Sequence, residues 1–212
     1  MNALADYYAK RAPEYELIYQ KPERQNDLRA LRAFVAETFT GRSVLEIACG
    51  TGYWTEVLAA TARRVVATDV NEEVLAIART KPLGSKVQLE RCDAFRADQP
   101  AGEFDAALAA FWWSHLTRAD LQRFLAGLHA RLQPGSRVVF IDNIFVAGSS
   151  TPIARRDVDG NTYQLRRLDD DSITEVLKNF PTDEDIAAAL PGTKITIDRL
   201  TYYWSVRYTM RS

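Results

Sequence analysis

Residues 44–52 read Val-Leu-Glu-Ile-Ala-Cys-Gly-Thr-Gly. An apolar strand run enters a glycine turn, and a helical run follows it. Glycine lets a backbone approach a ligand with no Cβ in the way. A second apolar run, 65–68, ends at Asp69, which lies 23 residues beyond Glu46. A glycine turn beside an acidic strand end is a recipe for holding a nucleoside-bearing cofactor, with the carboxylate accepting from the ribose hydroxyls.

Two details bear on which cofactor. The dinucleotide fingerprint needs a third glycine for close helix–strand packing, and position 55 is Thr. Glu46 sits just before the turn. A carboxylate there repels a pyrophosphate and suits a cationic or amino-bearing ligand.

Other chemistry-bearing residues gather at later strand ends. His115 follows Phe111-Trp112-Trp113-Ser114 just past the fourth strand, where open α/β folds bind ligands. Histidine is the side chain most easily poised near neutral pH, so His115 is the candidate base or substrate contact. Trp112 and Trp113 offer either a flat platform for an aromatic acceptor or core packing. Asp142 and Asn143, ending the fifth strand, are candidate hydrogen-bonding partners of a substrate. His129 reads as a surface or packing residue. Cys49 and Cys92 read as small packing residues, and no Cys/His cluster has metal-ligand spacing.

The elements that position these residues follow from periodicity. Strands are expected at 43–48, 64–69, 87–91, 104–110 and 137–142, alternating with helices at 53–62, 72–79 and 118–132. Asn26 or Asp27 is expected to cap a helix through 39, and Asn71 to cap the one starting at 72. Gln133-Pro134-Gly135 is expected to break the chain before the fifth strand. Residues 4–20 read as mostly helical, interrupted at Pro13. Beyond 144 the rhythm changes. Residues 163–168 and 173–178 are expected to pair across Asp169-Asp170-Asp171, a short helix follows Pro181-Thr182, and strands at 194–203 and 204–210 close the chain. The alternation predicts a parallel sheet with crossover helices.

The 212 residues suit a single domain, and 47% hydrophobic content suffices for a sizeable core. With 27 basic and 28 acidic residues the net charge is −1, which gives no global pull toward nucleic acid or anionic membrane. The pairs Arg155-Arg156 and Arg166-Arg167 read as solvated loop charge or as a local basic patch. No apolar run reaches the roughly 18 residues of a membrane span and no secretory leader opens the chain, so a cytoplasmic location is expected.

The string Glu46-x-Ala48-Cys49-Gly50-Thr51-Gly52, with Asp69 at its distance, resembles motif I of the class I S-adenosylmethionine (SAM)-dependent methyltransferases. Tyr8-x-x-x-Ala12-x-x-Tyr15 resembles the N-terminal segment of the UbiE-like, type 11 small-molecule methyltransferases, with Ala9 in place of that family's Asp. The resemblance carries recognisable motifs over about residues 7–146. It implies an α/β, Rossmann-like, seven-stranded, mostly parallel sheet with helices on both faces and an antiparallel last strand. It implies one domain over 1–212, with a helical lid at 1–40 and an insertion at 144–178 that covers the substrate.

The resemblance also implies a cofactor site. Ala48, Cys49, Gly50 and Gly52 line the methionine end of SAM, and Glu46 faces its amino group. Asp69 takes the ribose, with Val70 beside the adenine. Asp93 accepts from the adenine amino group, with Ala94 or Phe95 at the ring edge. Ala110 and Phe111 close over the methionine, and Tyr8 and Tyr15 fold over the cofactor. The implied reaction is SN2 transfer of the sulfonium methyl, leaving S-adenosylhomocysteine (SAH). The sequence leaves the nucleophile open among O, N, S and C. No Asn/Asp-Pro-Pro-Tyr follows the fourth strand, so the expected acceptor is a small aromatic or heterocyclic molecule. The alternatives are a non-catalytic SAM or SAH binder, an RNA methyltransferase and an NAD-dependent oxidoreductase.

Overall fold

The computed structural model describes residues 3–96, 100–168 and 170–211. Met1, Asn2 and Asp169 of the expected lid and turn lie outside that range. Helix α1 (Ala3–Arg11) runs into a 3-10 stretch (Ala12–Tyr19), and α2 (Gln25–Thr38) follows. Then come β1 (Ser43–Ile47), α3 (Tyr53–Thr61), β2 (Arg64–Asp69), α4 (Glu72–Ala78), β3 (Val87–Arg91) and β4 (Phe104–Ala110). A 3-10 turn (Trp113–His115) precedes α5 (Arg118–Ala130) and β5 (Leu132–Asn143). The chain ends with β6 (Arg155–Arg156), β7 (Thr162–Arg167), β8 (Ile173–Leu177), α6 (Asp183–Ala189), β9 (Ile195–Arg199) and β10 (Tyr203–Thr209).

The main sheet has the order β3-β2-β1-β4-β5-β10-β9. Pairings among β1 to β5 are parallel, and β10 is antiparallel to both β5 and β9. The expected α/β class and antiparallel last strand are therefore present. Strands β6, β7 and β8 form a separate antiparallel sheet, which includes the hairpin expected across 169–171.

Side chains alternate across a strand, so one sheet carries two cores. Val44, Val65, Ala106, Leu108, Val139 and Ile141 point to one face, covered by Leu31 and Val35 of α2 and Val57 and Leu58 of α3. Leu45, Val66, Ala107, Ala109, Val138 and Phe140 point to the other, covered by Phe124 and Leu128 of α5 and Ile186 of α6. The central strands are buried on both faces and read as continuous apolar runs for that reason.

Three local expectations are corrected. β5 begins at Leu132, not 137: Pro134-Gly135 is absorbed where the β4–β5 register shifts between Phe104 and Ala106, and Gly135 N–H donates to Met210 O at 3.1 Å. α2 begins at Gln25 without a side-chain cap, because the Asp27 carboxylate is spent on Tyr202 N–H at 2.8 Å. Asn71 sits at the cap position of α4 but does not cap it; its side-chain amide donates to Ala5 O at 3.0 Å, tying α1 to the end of β2. No helix of the described residues is long and apolar enough to cross a membrane.

Candidate functional site

The strand order reverses between β1 and β4, and the carboxyl ends of the strands there open into a crevice. The turn after β1 is built from left-handed residues: φ is +53° at Ala48, +56° at Gly50 and +82° at Gly52. Phe111, just past β4, is also left-handed, at +59°. Alanine and phenylalanine carry a steric cost in that region, and such strain collects at functional sites. Gly52 N–H donates to Cys49 O, closing the turn.

Asp69 braces this turn from β2. One carboxylate oxygen accepts from Gly50 N–H and the other from Asn71 N–H, both at 2.9 Å. A carboxylate has about four acceptor sites, so these bonds leave capacity for a ligand. Burial pushes the Asp69 carboxyl up, opposed by these backbone donors. Asp93 lies across from it and accepts from Phe95 N–H at 2.9 Å.

The resulting cavity is lined by Tyr8, Tyr15, Ala48, Gly50, Asp69, Val70, Asp93, Ala94, Phe95, Ala110, Phe111, Trp112 and His115. Most of the residues expected to hold a cofactor thus share one wall. Val70 is apolar and 41% exposed, so it presents an uncovered surface. An apolar slot of Val70, Phe95 and Trp112 with Asp93 at its edge fits a purine. Asp69 fits a ribose, and the left-handed turn leaves backbone room for a methionine tail. The residues present fit SAM.

Several expected residues stand elsewhere. Glu46 does not line the cavity. It is 1% exposed beneath the turn, where it accepts from Thr55 Oγ1 at 2.7 Å. Burial pushes its carboxyl up to about 8. Thr55 thus occupies the place of a third glycine and serves as Glu46's partner. Cys49 and Gly52 are set back as well; a Cβ on Gly52 would meet that of Ala78 at 3.2 Å, so Gly52 serves helix packing. Trp113 is not a platform but core, edge-on to Phe140 and Trp204. Its strand-end neighbour Trp112 packs against Phe95 and Phe124 at the purine end. Asp142 is fully buried and faces no ligand space; Lys178 Nζ donates to it at 2.9 Å and to Ser114 Oγ at 2.6 Å.

His115 stands at the mouth of a second cavity of about 320 Å³. Tyr8, Tyr15, Phe111 and His115 line both cavities. The second one is closed by Asn143 of β5, by Lys21, Arg24 and Ser149, by Gln164 and Arg166 of the small sheet, and by Lys178 just past it. The His115 Nδ1 lies 2.7 Å from Leu177 O, which can only accept, so Nδ1 carries the proton. Nε2 lies 2.7 Å from the Tyr8 hydroxyl. Burial, with Lys178 and Arg166 nearby, holds His115 well below its ordinary value and hence neutral. Nε2 is then a bare acceptor, and Tyr8 donates to it.

The sequence left Arg166 between solvated loop charge and a basic patch, and gave no sign of Lys178, Arg24 or Arg11. Arg166 and Arg167 both line the cavity, Arg167 while paired with Asp171, whereas Arg155 pairs with Glu175 outside it. Alternation along β7 and β8 was the available signal, since Gln164 and Arg166 share a strand face.

Residues 44–135 match the Methyltransferase domain family. An uncharacterized methyltransferase of Bacillus cytotoxicus is 32% identical over 171 residues, 79% of this chain and 77% of its own length. A probable S-adenosylmethionine-dependent methyltransferase of Mycobacterium tuberculosis is 29% identical over 147 residues, 68% of this chain. The chain spans about half that relative's length, 49%. A solved complex of DhpI with SAM and HEP superposes with a TM-score of 0.80 at 25% identity, over 97% of this chain and 95% of DhpI. The chain belongs to the class I SAM-dependent methyltransferases.

Proposed function

We propose that this chain transfers the methyl group of SAM to a small-molecule acceptor seated in the second cavity. The observation that carries this reading is the shared wall: Tyr8, Tyr15, Phe111 and His115 face both cavities, so a methyl held in one is presented to the other. A cavity of about 320 Å³ lies at the small end of ligand sites.

SAM supplies an electrophilic methyl on a sulfonium that leaves as a neutral thioether. The chain's own residues bind, orient and exclude water. Asp69 holds the ribose and Asp93 the adenine, with Val70, Ala94 and Phe95 around the ring. Ala48 and Gly50 give the backbone room, and Ala110 and Phe111 close the methionine end. The region 1–40 acts as a lid. It is fastened to the glycine turn by Thr51 Oγ1 donating to Glu16 at 2.8 Å and by Asn71 donating to Ala5 O. Residues 144–178 act as the acceptor's cover, since they bring Ser149, Gln164, Arg166 and Lys178 to the cavity. Where the nucleophile carries a proton, Tyr8 stands between it and the bare Nε2 of His115 and relays it. With Trp113 in the core, an aromatic platform no longer argues for an aromatic acceptor.

Calorimetry with SAH, SAM and NADH tests the cofactor. Binding of SAH and SAM, lost at least 10-fold in Asp69→Ala, supports the reading. Binding of NADH in their place sinks it. An acceptor panel on SAM-loaded protein then separates an enzyme from a cofactor binder, which would transfer no methyl to any acceptor.

A further inference from the structure

The acceptor cavity carries an excess of positive charge with no carboxylate in its wall. Arg11, Lys21, Arg24, Arg166, Arg167 and Lys178 line it, and no aspartate or glutamate of the described residues does. Arg167 and Lys178 have counter-ions in Asp171 and Asp142. The other four form no ion pair among the described residues. Arg166 is satisfied only by neutral groups, with Nε and Nη2 donating to Gln164 Oε1 at 3.3 and 2.8 Å. Arg24 is 8% exposed, its Nη1 and Nη2 donate to Asn143 Oδ1 and Ser149 Oγ, and its Nε has no partner at all.

Of these four, Arg24 is buried and Arg11, Lys21 and Arg166 are half-buried; crowding cations without counter-charge is unfavourable, and a buried guanidinium N–H with no partner is costly. Burial pulls Lys178 down from its ordinary value, and Arg166 and Arg24 add to that although Asp142 opposes. A bound anion would relieve all of this, because guanidinium forks match the paired oxygens of carboxylates and phosphoryl groups. On the methyltransferase reading above, we infer that the methyl acceptor is a small molecule bearing an oxyanion, phosphoryl or carboxylate, which is anchored by Arg166 and Arg24. The sequence pointed to a small aromatic or heterocyclic acceptor without specifying its charge.

The test is calorimetry on the SAH-saturated full chain with four probes sharing one ring: phenyl phosphate, benzoate, benzyl alcohol and benzylamine. The two anions are expected to bind, with affinity falling as NaCl is raised, while the alcohol and the amine do not bind. Phenyl phosphate tighter than benzoate assigns a phosphoryl acceptor, and the reverse assigns a carboxylate. Arg166→Gln is expected to weaken the anions by ~10-fold or more with SAH affinity held within ~2-fold. Arg11→Gln repeats the test at the lid should the first variant not fold. Equal binding of neutral and anionic probes, or no anion binding by protein that does bind SAH, overturns the inference and leaves the methyltransferase reading standing. Failure of the wild-type chain to bind SAH overturns both.

Discussion

The Tyr8 hydroxyl lies 2.7 Å from Nε2 of His115, and the residues are 107 positions apart in the chain. Their rings meet edge-on at 5.3 Å. This contact joins the N-terminal helical segment to the end of β4 at the junction of the two cavities. Leu177 O, which can only accept, sets the tautomer at the other ring nitrogen, and the Tyr8 hydroxyl therefore donates to Nε2. Burial pushes the Tyr8 hydroxyl up to about 12, so it remains a donor through the neutral range.

The first prediction concerns this pair. Nitrogen NMR of His115 is expected to show a neutral ring protonated at Nδ1 at pH 6, below the ordinary histidine value. Tyr8→Phe removes the donor that favours the neutral form, so the His115 pKa rises in the variant. The sign for stability follows. The folded pKa is depressed, so the unfolded chain binds a proton first as the pH falls below about 6.5. Stability is then lost by up to about 1.4 kcal/mol per pH unit, and His115→Gln flattens that slope. A ring doubly protonated at pH 6 would sink the assignment.

Glu46 titrates with the opposite sign. Its carboxyl is raised to about 8, first by burial and then by Asp69, while Thr55 and Lys81 oppose. The unfolded value lies near 4.3, so folding takes up a proton between there and about 8. Stability therefore falls as pH rises through that window, by on the order of a few kcal/mol across it. Glu46→Gln keeps a neutral hydrogen-bonding side chain against Thr55 and is expected to remove the slope. Chemical denaturation at pH 5, 6.5 and 8 checks it; parallel curves for the two proteins would refute the buried, protonated state.

The sheet was legible because its signals are local. The alternation of apolar runs and helices, the turn at Gly50 and the acid at Asp69 each lie within a few residues of one another or at strand ends. What escaped reading was set by long-range contact. Glu46 faces Thr55 because α3 packs back over β1, and no short window shows that. Asp142 looked free at a strand end, but its partner Lys178 arrives from just past β8, 36 residues later. Trp112 and Trp113 are adjacent, so one had to turn into the core; which one depended on α5 and β10. The acceptor cavity's cations come from segments far apart in the chain, with their negative partners spent elsewhere, so a net charge of −1 hid them.

Ala48 offers a test of backbone strain at the cofactor turn. At φ +53° its Cβ costs roughly 1–2 kcal/mol. Ala48→Gly is expected to be neutral or stabilising by up to about 1 kcal/mol, since relief of strain offsets the added freedom of the unfolded chain. Ala48→Val is expected to destabilise by about 2 kcal/mol or more, because a β-branched residue tolerates this region least. Urea unfolding of the three proteins gives the order Gly, Ala, Val; a Val variant as stable as wild type would mean the turn is not left-handed at this position.

Lys178 and Asp142 are both essentially buried, at 5% and 0% side-chain exposure, with Nζ and Oδ1 2.9 Å apart. Asp142 also accepts from the backbone N–H groups of Ser114 and Asn143. Although burial alone would raise it, Lys178 holds the Asp142 carboxyl below its ordinary range. The pair therefore fixes the turn that carries His115, because Ser114 and His115 are adjacent and Leu177 adjoins Lys178. Removing one partner strands a buried charge, so Lys178→Met alone is expected to cost about 3–5 kcal/mol. Asp142→Leu alone costs a similar amount, while the double variant recovers much of the loss, since an apolar pair of like volume is nearly neutral. A double-mutant cycle on unfolding free energies measures this coupling. Additive losses would show that the ion pair does not hold the turn. The recovered double variant separates stability from positioning: it is expected to fold, yet to lose the neutral Nδ1–H signature of His115 because Ser114 no longer has Asp142 to hold it.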